Sequence, residues 1–424
     1  MFMKKIIVLI PLLVVVTMTE AQIIKKIADR AKNRAEQNAN NKVNNAVDKT
    51  VDDAMNPNLE KNKENKSKDT TGNDNNKETG SSGPVSFKTY SKYDFVPGEK
   101  VIGFEDFSTG NIGDFPAGWN TNGAGEIVTI EGKQGRWLWL SKPGVFIPEF
   151  TDKYPEDFTF EFDLLHGTPF GGATFQFVMA ELLNREILQG WNTSPHTLRT
   201  RFYIPNSGQK EGNSSTEIRK SMTTQSANQI STELLSDKYN PVHVSIWRQK
   251  ERVRVYINQE KVWDIPKAIA ADAKLNAIFF PIDAADATIP FYIGNLRLAV
   301  GAPDTRKKML EQNKWVTHGI LFDVNSANIK PQSYGTLKEM ANVLNEYTDL
   351  KVKIVGHTDA DGAEAANLDL SKRRAASVKV ALAKEFGIDE SRMETDGKGE
   401  SEPIDKNDNP AGKANNRRVE FIKI

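Results

Sequence analysis

The rhythm of apolar positions changes several times along this chain, and each change marks a different kind of element. Ile6 to Val16 is an apolar run behind Lys4 and Lys5, with Thr19-Glu20-Ala21 ahead of Gln22. A charged head, a short apolar run and a small residue at the exit make the pattern of a secretory signal. The run is too short for a spanning helix, which needs roughly 20 apolar residues, and no later stretch is long and apolar enough. Beyond it, apolar positions fall at Ile24, Ile27, Ala28, Ala31 and Ala35, then at Val43, Val47, Val51 and Ala54, which is helical spacing. The stripe is thin and mostly alanine and valine. It suits a short coiled coil or a helix lying on a partner or membrane surface, and equally a solvated helix with little to bury. Pro57 ends it. Asn58 to Gly83 then has almost no apolar residue, so chain entropy is not offset by burial and the segment should be a disordered tether.

Between about Val85 and Val300 the period falls to two. Phe158, Phe160 and Phe162 alternate with Thr159 and Glu161, Val242, Val244 and Ile246 with His243 and Ser245, and Val253, Val255 and Ile257 with Arg254 and Tyr256. These are half-buried strands. Gln249 to Arg252 makes a hairpin between the last two, Asn258 to Glu260 the next turn, and Phe291 to Ala299 a closing strand. The spacing predicts a β-sandwich. The stretch from His243 through Trp263 resembles part of a concanavalin- or laminin-G-like jelly roll, a group in which many members bind glycans and many only support neighbouring domains.

From Trp315 the order becomes strand, helix, strand, helix, strand. Ile320, Phe322 and Val324 alternate, and Pro331 sits where a first helical turn tolerates it. Tyr334, Leu337, Ala341 and Leu344 make one apolar helical face. Leu350 to Val355 is a strand, a helix runs from near Asn367 to Phe386, and Arg417 to Ile424 is the last strand. The expectation is an α/β sandwich with helices on one sheet face.

Composition narrows the chemistry. The 424 residues are too many for one ordinary core. Lys and Arg together equal Asp and Glu in number, so nothing global points to nucleic acid. The absence of cysteine excludes disulfides, thiolate catalysis, thiolate metal sites and a lipid-modified cysteine. His166, His196, His243, His318 and His357 stand singly, without metal-ligand spacing, so no metal or other cofactor is expected. Glycosidic cleavage needs two carboxylates. Glu161 and Asp163 begin such a pattern, but the position for a second glutamate holds His166, so the chain is not expected to be an enzyme. Glu161 and Asp163 are then simply outward-facing strand residues.

The C-terminal motifs are more specific. Leu321-Phe322-Asp323-Val324-Asn325-Ser326-Ala327 is followed by Gly356-His357-Thr358-Asp359, by Asn367, Leu370-Ser371 and Arg374-Ala375, and by Asn416-Arg417-Arg418-Val419. In order and spacing this resembles the OmpA-like C-terminal domain, over about Val316 to Ile424. The resemblance implies non-covalent binding of the peptide stem of peptidoglycan, chiefly at its diaminopimelate residue. It carries the two principal contacts onto Asp359 and Arg374, and two further ones onto Thr358 and Asn367. Ala360 departs from the asparagine common at that position, while Gly362 keeps the turn. The chemistry agrees: a zwitterion on one carbon asks for a planar guanidinium for its carboxylate and a carboxylate for its ammonium. Asp359 and Arg374 could instead form a salt bridge with each other, and Asn367 could be a helix N-cap. Arg417 and Arg418 are taken as part of the fold, and Arg373 as solvated.

The expected organisation is therefore a signal peptide (1–21), an amphipathic helical segment (22–56), a disordered linker (57–84), a jelly-roll-like β-sandwich (85–300), a linker (301–315) and an OmpA-like α/β domain (316–424). The expected function is anchoring an outer-membrane or periplasmic protein to peptidoglycan. Two alternatives stay open: a glycan-binding β-domain as the working module, with a glycan or outer-membrane partner, and a transmembrane β-barrel in place of the sandwich.

Overall fold

The computed structural model describes residues 93–166, 175–185, 196–206, 213–220, 223–231, 240–283, 290–301 and 304–424. The expected signal peptide, amphipathic segment and disordered linker lie outside these residues. The described residues fall within one compact unit, Asn65–Ile424.

Up to Val300 they form strands β1 (Lys100–Glu105), β2 (Trp119–Thr121), β3 (Ala124–Val128), β4 (Trp137–Lys142), β5 (Gly144–Pro148), β6 (Asp157–His166), β7 (Gln176–Leu182), β8 (His196–Asn206), β9 (Asn213–Lys220), β10 (Thr223–Ser231), β11 (Val242–Gln249), β12 (Arg252–Ile257), β13 (Glu260–Ile265), β14 (Ala277–Ile282) and β15 (Phe291–Val300). One sheet runs β13-β12-β11-β6-β15-β4-β3, with β1 beside the second half of β15; the other runs β10-β9-β8-β7-β14-β5-β2. Alternation decides which side chains meet between them. Phe158, Phe160 and Phe162 of one sheet and Phe175, Phe177 and Phe280 of the other are all buried in one core, with Phe162 and Phe280 rings 5.2 Å apart. The described strands thus form two open sheets with their apolar sides turned toward each other. A barrel in lipid would turn its apolar sides outward, so the sandwich replaces that alternative.

The C-terminal part holds α1 (Thr305–Glu311), β16 (Lys314–Thr317), α2 (Tyr334–Glu346), β17 (Val352–His357), α3 (Glu364–Phe386), β18 (Met393–Gly399), α4 (Pro410–Asn416) and β19 (Val419–Lys423). The sheet order is β16-β19-β17-β18, with β17 and β18 parallel across α3. Leu337, Met340 and Leu344 of α2 and Val378 and Leu382 of α3 share a core with Ile354 and Phe421 of the sheet.

Three expectations are corrected here. The stretch 301–315 is not a plain linker: α1 forms within it, capped by Asp304, and buries Met309 in the α/β core. Ile320, Phe322 and Val324 do not form a strand. The chain there loops back on itself with a single Phe322–Ile329 bridge, and Val324 is 71% exposed, so its alternation reported no sheet. The outward face carrying Glu161 and Asp163 is not solvated: Glu161 is 3% exposed. Residues 93–98 and the C-terminal part cover that face. Tyr93 and Phe95 cluster with Trp247, Tyr256 and Tyr334, and Asn415 bonds both the N–H and the C=O of Val101 at 2.9 Å.

Candidate functional site

Strand β17 ends in Gly356-His357 and delivers Thr358 and Asp359 into the loop that feeds α3. Gly362 adopts φ +102°, a conformation that costs glycine little, and lets the loop turn into the helix. Helix α3 begins at Glu364 with Ala363 at its N-cap, so Asn367 is not the cap. Asn367 lies in the first turn, and its buried amide donates to the carbonyls of Asp359 (3.3 Å) and Asp361 (3.1 Å) and to Glu400 Oε2 (2.6 Å). It fastens the loop from beneath. The Thr358 N–H donates to the Gly399 carbonyl at 2.9 Å, while its hydroxyl is buried without a hydrogen-bond partner.

Asp359 and Arg374 do not pair with each other. One Asp359 oxygen accepts the Asp361 N–H at 3.2 Å, and the other accepts Arg417 Nη1. Arg374, one helical stretch along α3, reaches the other way. Its Nε donates to the Ser326 carbonyl at 3.0 Å, its Nη2 to the Asp323 carbonyl at 3.4 Å, and the guanidinium lies 4.9 Å from the Phe322 ring centre. Among the described residues Arg374 has no carboxylate within ion-pair distance. Burial, and then the neighbouring Arg417 charge, lower its pKa to about 10, while Asp359 acts in the opposite direction.

The two arginines before β19 divide their work. Arg418 is 4% exposed and is locked by Glu420 (2.9 Å) and the Glu402 carbonyl (3.0 Å), which is a role in the fold. Burial alone would raise the Glu420 carboxyl, but His357, Lys314 and Arg418 override it and hold it well below the usual range. Arg417 instead faces Asp359 on one side and the Phe104 ring, at 5.0 Å, on the other. It is a candidate site residue that the sequence reading took as part of the fold. The available signal was Glu420, two residues after Arg418 where the chain enters β19, which claims Arg418 and leaves Arg417 for the opposite side. Arg373 is bonded to Asp369 at 2.8 Å and is less exposed than expected.

Arg374 and Arg417 line a cleft of about 130 Å³ together with Phe104 and Arg297 of the β-sandwich and with Leu321, Phe322, Gly356 and His357. Asp359 reaches it through Arg417. A neighbouring cleft of about 180 Å³ shares Phe104, Arg297 and Arg417 and continues to Glu161, Asp163 and His243. His243 is held between the two carboxylates, 2.7 Å from Asp163 and 3.3 Å from Glu161. Burial opposes its charge, but the carboxylates prevail and raise its pKa to about 9. His166, by contrast, sits on the sandwich side of β6 and pairs in register with Phe291.

Comparison with known proteins adds the family. Residues 321–417 match the OmpA family, so the chain carries an OmpA family domain there. Over 104 residues the chain is 44% identical to the probable lipoprotein YiaD of Escherichia coli, a match covering 24% of this chain and 47% of that one. The chain thus spans about half the length of that relative. Among solved structures, the peptidoglycan-associated lipoprotein from Burkholderia pseudomallei is similar at 26% identity, over 28% of this chain and 98% of that one, with a TM-score of 0.25. A legume lectin-like domain from Entamoeba histolytica is similar at 11% identity, over 43% of this chain and 91% of that one, with a TM-score of 0.34.

Proposed function

We propose that residues 316–424 bind peptidoglycan non-covalently at its stem peptide, chiefly at diaminopimelate, and so anchor an outer-membrane or periplasmic protein to the cell wall. The observation that carries this is Arg374: a guanidinium on a cleft wall, oriented by two carbonyls and free of any carboxylate partner among the described residues. Such a group is prepared for a ligand carboxylate, which it can take through two parallel bonds. Asp359 supplies the charge for the ligand ammonium. Its pairing with Arg417 leaves lone pairs for a further donor, since a carboxylate has about four acceptor sites. Asn367 holds the loop that presents Asp359, and Thr358 fastens the start of that loop through its N–H to the Gly399 carbonyl. The role is binding and tethering, not turnover, in keeping with the OmpA family domain.

Co-sedimentation of the full chain with peptidoglycan sacculi tests this. Asp359→Ala and Arg374→Ala should each lose about 1.5–3 kcal/mol, roughly tenfold to a hundredfold in affinity, because each charge reads a different half of the zwitterion. Arg374→Lys should lose part of it, and Arg373→Ala should bind as the parent does. Folded Asp359 and Arg374 variants that still pellet like the parent would refute the assignment.

A further inference from the structure

Arg297 is a buried charged residue of the β-sandwich whose ion pair with Glu161 leaves its hydrogen-bonding capacity unused. On β15 it is the register partner of Phe104 on β1 and of Glu161 on β6, so all three side chains share the face turned toward the C-terminal part. Arg297 is 6% exposed, yet neither terminal nitrogen of its guanidinium makes a hydrogen bond. Its contact with Glu161 is a 3.5 Å approach of Nη1 to Oε1 without hydrogen-bond geometry, and Oε1 is itself unbonded. The other Glu161 oxygen is engaged by His243. Buried guanidinium donors left unmet cost free energy, so a fold that keeps them there must recover that cost elsewhere.

The same guanidinium lines the cleft that holds Arg374 and Arg417. Arg417 approaches from the opposite domain and lies over the Phe104 ring, so cationic groups from both domains converge on one space. Their mutual repulsion would be relieved by an anion placed among them. We infer that the β-sandwich completes the wall-binding site, with Arg297 as the ligand for a second carboxylate of the same stem peptide. That carboxylate belongs to the glutamyl residue preceding diaminopimelate, which lies one peptide unit from the zwitterion at Arg374. Phe104, the register neighbour of Arg297 and the ring beneath Arg417, lines the same cleft. This inference rests on the proposed function, because it needs a stem peptide as the ligand.

The test uses the full chain and three probes in calorimetric titrations: free diaminopimelate, the stem tripeptide ending in diaminopimelate, and that tripeptide with its glutamyl α-carboxylate amidated. The parent should bind the free-carboxylate tripeptide about tenfold tighter than the amidated one, the worth of one charge-assisted pair. Arg297→Gln should erase that difference while leaving affinity for free diaminopimelate unchanged. Comparison of the two tripeptides on the parent needs no substitution, so a poorly folding variant does not remove the test. Equal binding of the two tripeptides by the parent overturns the inference and leaves the proposed function standing, as does a loss in Arg297→Gln that is the same for both. Failure of the parent to bind any probe, or undiminished binding by Asp359→Ala, overturns the proposed function and this inference with it.

Discussion

At the scale of single residues, two buried histidines, His243 on the first sheet and His318 just after β16, give the protein opposite sensitivities to pH. His243, held between Asp163 and Glu161, has a folded pKa of about 9, above the ordinary value near 6.5. Its contribution to stability is complete below about 6.5 and is lost as pH rises through 9. His318 is the reverse. Burial first, and then Arg297 and Arg418, lower it to about 4, so it stays neutral with its Nε2 2.9 Å from the Asn415 carbonyl. Its contribution is present above about 6.5 and is lost as pH falls toward 4. Thermal melts should therefore show a stability maximum near neutrality, with an alkaline decline of roughly 1–3 kcal/mol by pH 9 that His243→Gln abolishes. An alkaline limb that persists unchanged in that variant would remove His243 from the account. The chain itself shows neither effect, because Asp163 and His243 are 80 residues apart and only strand register joins them. Asp359 and Arg374 were legible as candidates, lying within a recognisable spacing. Arg417 was not, since two adjacent arginines look alike until a strand turns them to opposite sides.

At the scale of elements, the site depends on how closely α3 lies on β17 and β18. Gly356 and Gly397 are register partners in these parallel strands. A Cβ on Gly356 would stand 2.3 Å from the Ser371 carbonyl oxygen, and one on Gly397 would stand 2.4 Å from the Lys372 nitrogen. The two glycines make a smooth bed on which the helix backbone rests. Arg374 rides on that helix and Asp359 on the loop leading into it, so lifting the helix misaligns both. Gly356→Ala should cost about 1–3 kcal/mol in chemical denaturation, as overpacking does, and should weaken sacculus binding as well. A variant as stable as the parent would mean that the helix has room to spare. The long elements were readable because α2, α3, β6, β11 and β12 each carry one regularly spaced apolar face. Strand β18, Met-Glu-Thr-Asp-Gly-Lys-Gly, was not, since its pairing rests on backbone and glycine and offers no apolar alternation. Helix α4 is seven mostly polar or small residues, and its clearest sequence signals, Asn409 as cap and Pro410 after it, are also those of a turn.

At the scale of the whole molecule, the feature that escapes the sequence most completely is the contact between the two folded parts. Period-two alternation marks one strand face as polar, but it is silent on whether water or another domain lies against it. Trp247, Tyr256 and Ala299 at outward positions were the available hint, and all three are buried. The clip that holds this contact is Asn415 of α4. Its Oδ1 accepts from the Val101 N–H and its Nδ2 donates to the Val101 carbonyl, each at 2.9 Å, so one side-chain amide pairs with the free edge of β1 as a neighbouring strand would. Val101, Ala299 and Ala414 close a small apolar cluster around it. An unpaired sheet edge buried without such a partner would leave two backbone groups unmet, at about 1–3 kcal/mol each. With the clip intact, sandwich and α/β domain should melt together in a single calorimetric transition. Asn415→Ala should split that transition in two, with the cleft-lining Phe104 and Arg297 no longer held against Arg417, while Asn415→Asp, which keeps the acceptor and loses the donor, should fall between. Two transitions already present in the parent would show that the domains do not share their stability, and one undivided transition in Asn415→Ala would show that something other than this amide joins them.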